Sequence, residues 1–144
     1  MPLLEELEYI HNYIDFEKIR IGERLSLRMD FERITDPGIT IAPMVLIVFI
    51  ENAFKHAKDT LDQKIYIAIT LGVDGNDIVF SIENSCKNRT DESSIMQERS
   101  GVGLVNTIKR LNLLYGNRYE LKQLREDCIY KLQLRLQILY HEQH

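Results

Sequence analysis

Apolar residues first recur at helical spacing. Over residues 3–21, LLEELEYIHNYIDFEKIRI, the positions Leu3, Leu7, Ile10, Ile14 and Ile21 share one face of a helix. Acids come early, Lys18 and Arg20 come late, and Gly22 supplies a stop. The period then changes to two. In RLSLRMDFE, Leu25, Leu27, Met29 and Phe31 alternate with polar residues and predict a strand, and TDPG at 35–38 predicts a turn. Pro43 suits the first turn of a second helix, expected to run to about residue 58. KIYIAITLGV and DIVFSIEN flank DGN at 74–76, the signature of a hairpin. Residues 86–101, CKNRTDESSIMQERSG, are polar and lose all period, as a functional loop or a mobile segment would. GLVNTIKRLNLLYG reads as a third helix with Leu104, Ile108, Leu111 and Leu114 or Tyr115 inward and Gly116 as its stop. RYELKQLRE and CIYKLQLRLQIL both alternate and form the last two strands.

This order predicts an α+β fold: a two-layer α/β sandwich with helices on one face of a mixed, mostly antiparallel sheet. The 144 residues fit one domain, and 44% hydrophobic with 28% charged residues is an ordinary globular balance. A net charge of −4 with no basic block argues against a nucleic-acid or anionic-membrane binder, while leaving room for a small local anion site. Cys86 and Cys128 lie far apart and in no CxxC pair, which speaks against a zinc site or a disulfide framework and for a reducing compartment. The longest apolar run, 41–50, is too short to span a bilayer, and MPLLEELEYI is acidic where a signal peptide is basic. A cytoplasmic location without direct membrane contact is expected, either free or as the cytosolic part of a larger, membrane-anchored protein.

Three stretches carry candidate chemistry. In IENAFKHAKD, residues 50–59, Ile47, Ile50 and Phe54 share the inward face, while Glu51 and Lys55, and Asn52 and His56, stand four apart. One reading is a solvated face with a salt bridge and a polar pair. The other is a carboxylate, an amide oxygen and a cation that hold a metal ion, a water and a phosphate together. In SGVGLVNTIKRL, residues 100–111, Gly101 and Gly103 precede a helix. There they are either a hinge or a place where phosphate oxygens approach free N–H groups. In FSIENSCKN, residues 80–88, Glu83 and Asn84 end a strand.

Taken in order, these stretches resemble a known family. ENAFKH resembles the N box of sensor histidine kinases, within the superfamily they share with gyrase, the heat-shock chaperone ATPase and MutL. SGVGLVNTIKRLNLLYG resembles their glycine-rich box and following helix, above all in the LytS-like class. LLEELEYIHNYIDFEKIRIGERL resembles the segment that joins the phosphoacceptor helices to the catalytic domain. The resemblance covers nearly the whole chain.

It implies a Bergerat-type ATP-binding fold, with ATP and Mg²⁺ as cofactors. It implies a linker helix over residues 1–22 and a catalytic domain over 23–144. Asn52 matches the Mg²⁺-coordinating asparagine, and Glu51 the acid that acts as general base or polarises the attacking group. Lys55 and His56 match positions near the phosphates. Gly101 and Gly103, followed by Leu104, match the residues that pass close to the phosphates beneath an ATP lid. Asn84 falls where an aspartate usually receives the adenine amino group. The implied reaction moves the γ-phosphoryl group to a histidine on a dimerisation domain, with a response regulator downstream. A pseudokinase module or a hydrolytic ATPase of the same superfamily is the alternative.

The chain departs from the pattern at five positions. Asn84 stands for aspartate, Cys86 and Ala57 stand for glycines, and Ile47 and Val48 replace Gln and Pro. None of His11, His56, His141 or His144 has the setting of the phosphoacceptor, so the chain reads as a catalytic domain without its acceptor segment.

Overall fold

The first amphipathic segment folds over its expected length, as α1 (Leu3–Ile21), in the computed structural model, which describes residues 1–58, 64–86, 92–126 and 128–140. It buries Leu3, Leu7, Ile10 and Ile14, and with them two acids, Glu6 and Glu17. Gly22 follows at φ 73°, where a Cβ would be strained, and its N–H closes the last turn on the Lys18 carbonyl.

A buried carboxylate needs donors, and Glu6 finds them at the start of α2 (Val45–Lys58). Its two oxygens accept the N–H groups of Met44 at 2.7 Å and Leu46 at 2.9 Å. A helix start leaves such donors open and carries the positive end of the dipole, so the carboxylate satisfies both. The helix does not begin at Pro43 as expected. Met44 sits at φ 63°, outside helical geometry, and the regular turns start one residue later.

The strands follow the alternation. In chain order they are β1 (Leu25–Phe31), β2 (Ile39–Thr40), β3 (Ile65–Asp74), β4 (Asp77–Ser85), β5 (Tyr119–Glu126), β6 (Ile129–Gln137) and β7 (Leu139–Tyr140). Five of them form a sheet in the order β1-β3-β4-β6-β5, with β1 and β3 parallel and the rest antiparallel. The parallel pair brackets α2, as a crossover helix requires. β3 turns into β4 through Gly75, at φ 62°, and Asn76. The expected last strand divides at Ile138, whose N–H leaves the ladder for the Asn76 carbonyl at 2.7 Å. The short strands β2 and β7 then pair separately. Two residues are too few for alternation to announce.

Ile65, Ile67, Ile69 and Leu71 of β3, Phe80 and Ile82 of β4, and Leu132 and Leu134 of β6 are buried under the helical layer. The other face of the sheet is polar. There Arg135 pairs with Asp74 and Asp77 at 2.9 and 2.6 Å. Helices on one face of a mixed sheet are the expected architecture.

The third helix is longer than its sequence period suggested. α3 runs Glu92–Tyr115, so residues 92–101 are helical, not loop, and 87–91 lie outside the described residues. ESSIMQER holds Glu, Met, Gln and Arg, good helix formers, and intrinsic preference sets the backbone there without apolar periodicity. Leu104 packs against the core, Leu111 and Tyr115 are buried, and Leu114 is exposed. The Tyr115 hydroxyl accepts the Ala42 N–H at 3.0 Å.

Candidate functional site

α2 sorts its polar residues by depth. Ile47, Ile50 and Phe54 are buried, Glu51 and Lys55 are exposed, and Asn52 and His56 are half-buried. Ile47 and half-buried Val48 contribute packing, as expected of their apolar replacements, and Ala57 has no exposed surface. The solvated-face reading required a Glu51–Lys55 salt bridge and an Asn52–His56 pair. Among the described residues neither charge has an ion-pair partner and the Asn52 amide has no hydrogen-bond partner. Three groups able to bind a ligand therefore stand along one short arc of helix.

The half-buried side of α2 turns toward the end of β4 and β6. The His56 ring lies 6.4 Å from the Tyr130 ring. Tyr130 is opposite Asn84 on β4, and Arg125 of β5 is opposite Tyr130, so Ile67, Asn84, Tyr130 and Arg125 form one row across four strands. Neighbouring strands are about 4.8 Å apart, so Asn84 and Arg125 stand about 10 Å apart with Tyr130 between them.

Asn84 occupies an inward position in a strand that otherwise buries Ile78, Phe80 and Ile82 there, and it has no exposed surface. Its Nδ2 donates to the Ser85 carbonyl at 2.9 Å, and its Oδ1 has no partner among the described residues. A buried acceptor left unpaired costs about 1–3 kcal/mol, a cost that a donor on a bound ligand would offset. Ser85 is fixed in turn, its Oγ accepting the Tyr66 N–H at 3.1 Å. Glu83, by contrast, faces the open side of the sheet and pairs with Lys131 at 3.6 Å.

The other end of the row offers donors. Arg125 Nε and Nη1 are buried without a partner among the described residues, and its Cζ lies 6.0 Å from the centre of the Tyr130 ring. The Tyr130 hydroxyl donates to Gln123 Oε1 at 2.8 Å, and burial pushes the phenol up to about 12. Neither Arg125 nor Tyr130 was singled out from sequence. The signal was parity: Tyr119 and Leu121 set the inward positions of β5, and Gln123 and Arg125 continue them with polar groups.

Gly101 and Gly103 are placed differently from expectation. They lie within α3, which starts at Glu92, so their backbone is helical and the helix start is not at the glycines. α3 packs beside α2, and Leu104 joins the core at that point. The structure thus brings His56 and Asn84 together around Tyr130 and keeps Glu51, Asn52 and Lys55 on the adjoining helix. It holds the glycines in a neighbouring element.

No family model matches the chain. The sensor protein LytS of Streptococcus agalactiae is 27% identical over 125 residues, covering 81% of this chain and 21% of that protein. The sensor histidine kinase BtsS of Escherichia coli is 28% identical over 144 residues, covering 94% of this chain and 24% of that protein. The chain therefore spans about a fifth to a quarter of the curated relatives it matches. Among solved structures, the catalytic domain of the histidine kinase ThkA superposes with a TM-score of 0.66 at 12% identity, over 98% of this chain and 97% of that one. The fold is that of a histidine kinase catalytic domain.

Proposed function

We propose that this chain is the ATP-binding catalytic domain of a LytS-like sensor histidine kinase, which moves the γ-phosphoryl group of ATP to a histidine on a dimerisation domain. A response regulator then receives the phosphoryl group. The observation that carries the reading is the buried, unpartnered Oδ1 of Asn84 beside the polar arc of α2. An adenine amino group is a donor of the right kind for it. The Ser85 carbonyl holds Nδ2, which leaves Oδ1 as the free acceptor, as the family's aspartate would present one.

The remaining roles follow from residue chemistry. Arg125 supplies donors to nucleotide acceptors that Asn84 does not reach, and Tyr130 gives the base an apolar wall. Asn52 and Glu51 are hard oxygen donors that suit Mg²⁺, whose other positions go to phosphate oxygens and water. When bound, the ion neutralises charge that develops on the transferred group. Glu51, exposed and without an ion-pair partner among the described residues, is free to take a proton from the attacking group, while Lys55 adds positive charge and His56 a ring nitrogen near the phosphates. Gly101 and Gly103 let the backbone approach those phosphates. Residues 1–22, which include α1, are the link to the phosphoacceptor segment, and residues 23–144 are the catalytic unit. None of the helices among the described residues is long and apolar enough to cross a membrane, in keeping with a cytoplasmic site of action.

Two measurements test the reading. Calorimetric titration with ATP should show binding that needs Mg²⁺, and Asn52→Ala should reproduce the metal-free result. Equal affinity with and without the metal, or no binding at all, overturns it. A dimerisation fragment carrying the acceptor histidine should then take up acid-labile, base-stable label, more slowly with Glu51→Gln at unchanged ATP affinity. Phosphate release without any histidine acceptor, and no label on the fragment, would identify a hydrolase instead.

A further inference from the structure

The two cysteines, distant in sequence, meet in the fold. The β4–β6 register ends at Ser85 opposite Ile129, and one step further places Cys86 opposite Cys128. The Cys86 N–H donates to the Cys128 carbonyl at 2.8 Å, one backbone bond past the end of the ladder. Residues joined by such a bond have Cα atoms about 5–6 Å apart, within the range a disulfide spans. Cys128 lies in the turn between β5 and β6, just past the end of β4, and both thiols are reduced. Cys86 is buried and Cys128 half-buried.

We infer that Cys86 and Cys128 are a peroxide-sensitive thiol pair that closes into a reversible disulfide and weakens the nucleotide site when it does. The more accessible Cys128 thiolate attacks hydrogen peroxide. An S–O bond forms, the O–O bond breaks, and the first oxygen leaves as water once protonated. The Cys86 sulfur then attacks the sulfenic sulfur. The S–S bond forms, the S–O bond breaks, and the second oxygen leaves as water. Two thiols are oxidised by two electrons and one peroxide is reduced to two waters. With Cys128 half-buried in a turn, the bond is of the accessible, labile sort that reductants reopen.

The coupling to the site, which rests on the function proposed above, runs through one peptide. Asn84 is oriented by the Ser85 carbonyl, and that carbonyl belongs to the peptide joined to Cys86. Drawing the two Cβ atoms to the separation of about 3.8 Å that a disulfide needs turns this peptide and moves the Asn84 acceptor off its aim.

The full chain, treated with hydrogen peroxide and digested without reductant, should lose the mass of two hydrogens and yield one cross-linked peptide holding Cys86 and Cys128. Dithiothreitol should reverse it, and Cys128→Ser should abolish it. Oxygen added to Cys128 while Cys86 stays alkylatable, or only intermolecular dimers, overturns the pair. The oxidised chain should bind ATP at least tenfold more weakly than the reduced one, with recovery on reduction, and unchanged affinity overturns the coupling. If the reduced chain binds no ATP, the function proposed above is what fails. Amide exchange at residues 84–86 then reads the coupling instead, with faster exchange expected after oxidation and identical exchange counting against it.

Discussion

The Glu6 carboxylate of α1 accepts the Leu46 N–H of α2 at 2.9 Å. With Met44 bound to its other oxygen, Glu6 ties the first helix to the helix that carries Glu51, Asn52 and Lys55. Glu6→Ala leaves two donors at the α2 start without this partner and should lower stability by about 1–3 kcal/mol in denaturant melts. The pH dependence has a definite sign. Burial pushes the Glu6 carboxyl above its ordinary value of 4.5, against the opposing pull of the Leu46, Met44 and Val45 N–H groups. A raised folded-state value gives stability that is complete below the ordinary value and lost as pH rises through the raised one. The stability advantage of wild type over Glu6→Gln should therefore be greatest below pH 4.5 and shrink as pH rises, as midpoints across a pH series would read.

α3 carries Gly101 and Gly103 in its interior, where each glycine costs about 1 kcal/mol relative to alanine. That weakness suits a segment whose backbone has to leave the helix to meet phosphates. Gly101→Ala and Gly103→Ala should each raise the free protein's thermal midpoint and weaken ATP binding. Amide exchange over residues 92–103 should accelerate when ATP binds the wild type. Unchanged exchange, with affinity unaffected by both substitutions, would make these glycines ordinary helix positions.

Much of this arrangement was visible in the chain. The period of α1, the alternation of β1, β5 and β6, and the DGN hairpin all follow from local rules, because one face of each element is buried. ENAFKH also announced that α2 carries more than core. What sequence hid was pairing. Nothing local says that Asn84, Tyr130 and Arg125 share a row, or that Cys86 faces Cys128, since strand order is a long-range outcome. The start of α3 was hidden for the opposite reason. Its helix formers carry propensity but no apolar stripe, and periodicity was the signal that placed the other helices.

Arg125 offers a test in which stability and function move in opposite directions. Its unpartnered Nε and Nη1 are a cost in the free protein, larger than the 0.5–1 kcal/mol or so expected of its contact with the Tyr130 ring. Arg125→Met keeps the straight side chain and removes the donors. It should leave the free protein as stable or up to about 2 kcal/mol more so, while ATP affinity falls. A loss of both together would mean that Arg125 is a packing residue.

In the proposed site Asn84 should decide the nucleobase. Its Oδ1 accepts, and its Nδ2 is engaged by the Ser85 carbonyl, so the amide is held in one of its two orientations. Adenine presents an amino donor to that oxygen. Guanine presents a carbonyl oxygen at the same place, and two acceptors repel unless the amide turns over and gives up its bond to Ser85. ATP should therefore be preferred to GTP. Asn84→Ala should weaken ATP binding by about 1–3 kcal/mol and erase most of the preference, because the pocket then contributes no acceptor. Asn84→Asp, which restores the family's usual residue, should keep both affinity and preference. A carboxylate supplies the same acceptor, although it cannot donate to Ser85. Equal binding of ATP and GTP by the wild type, or an Asn84→Ala variant with unchanged affinity, would reduce Asn84 to a strand-end residue and favour a nucleotide-independent role for the domain.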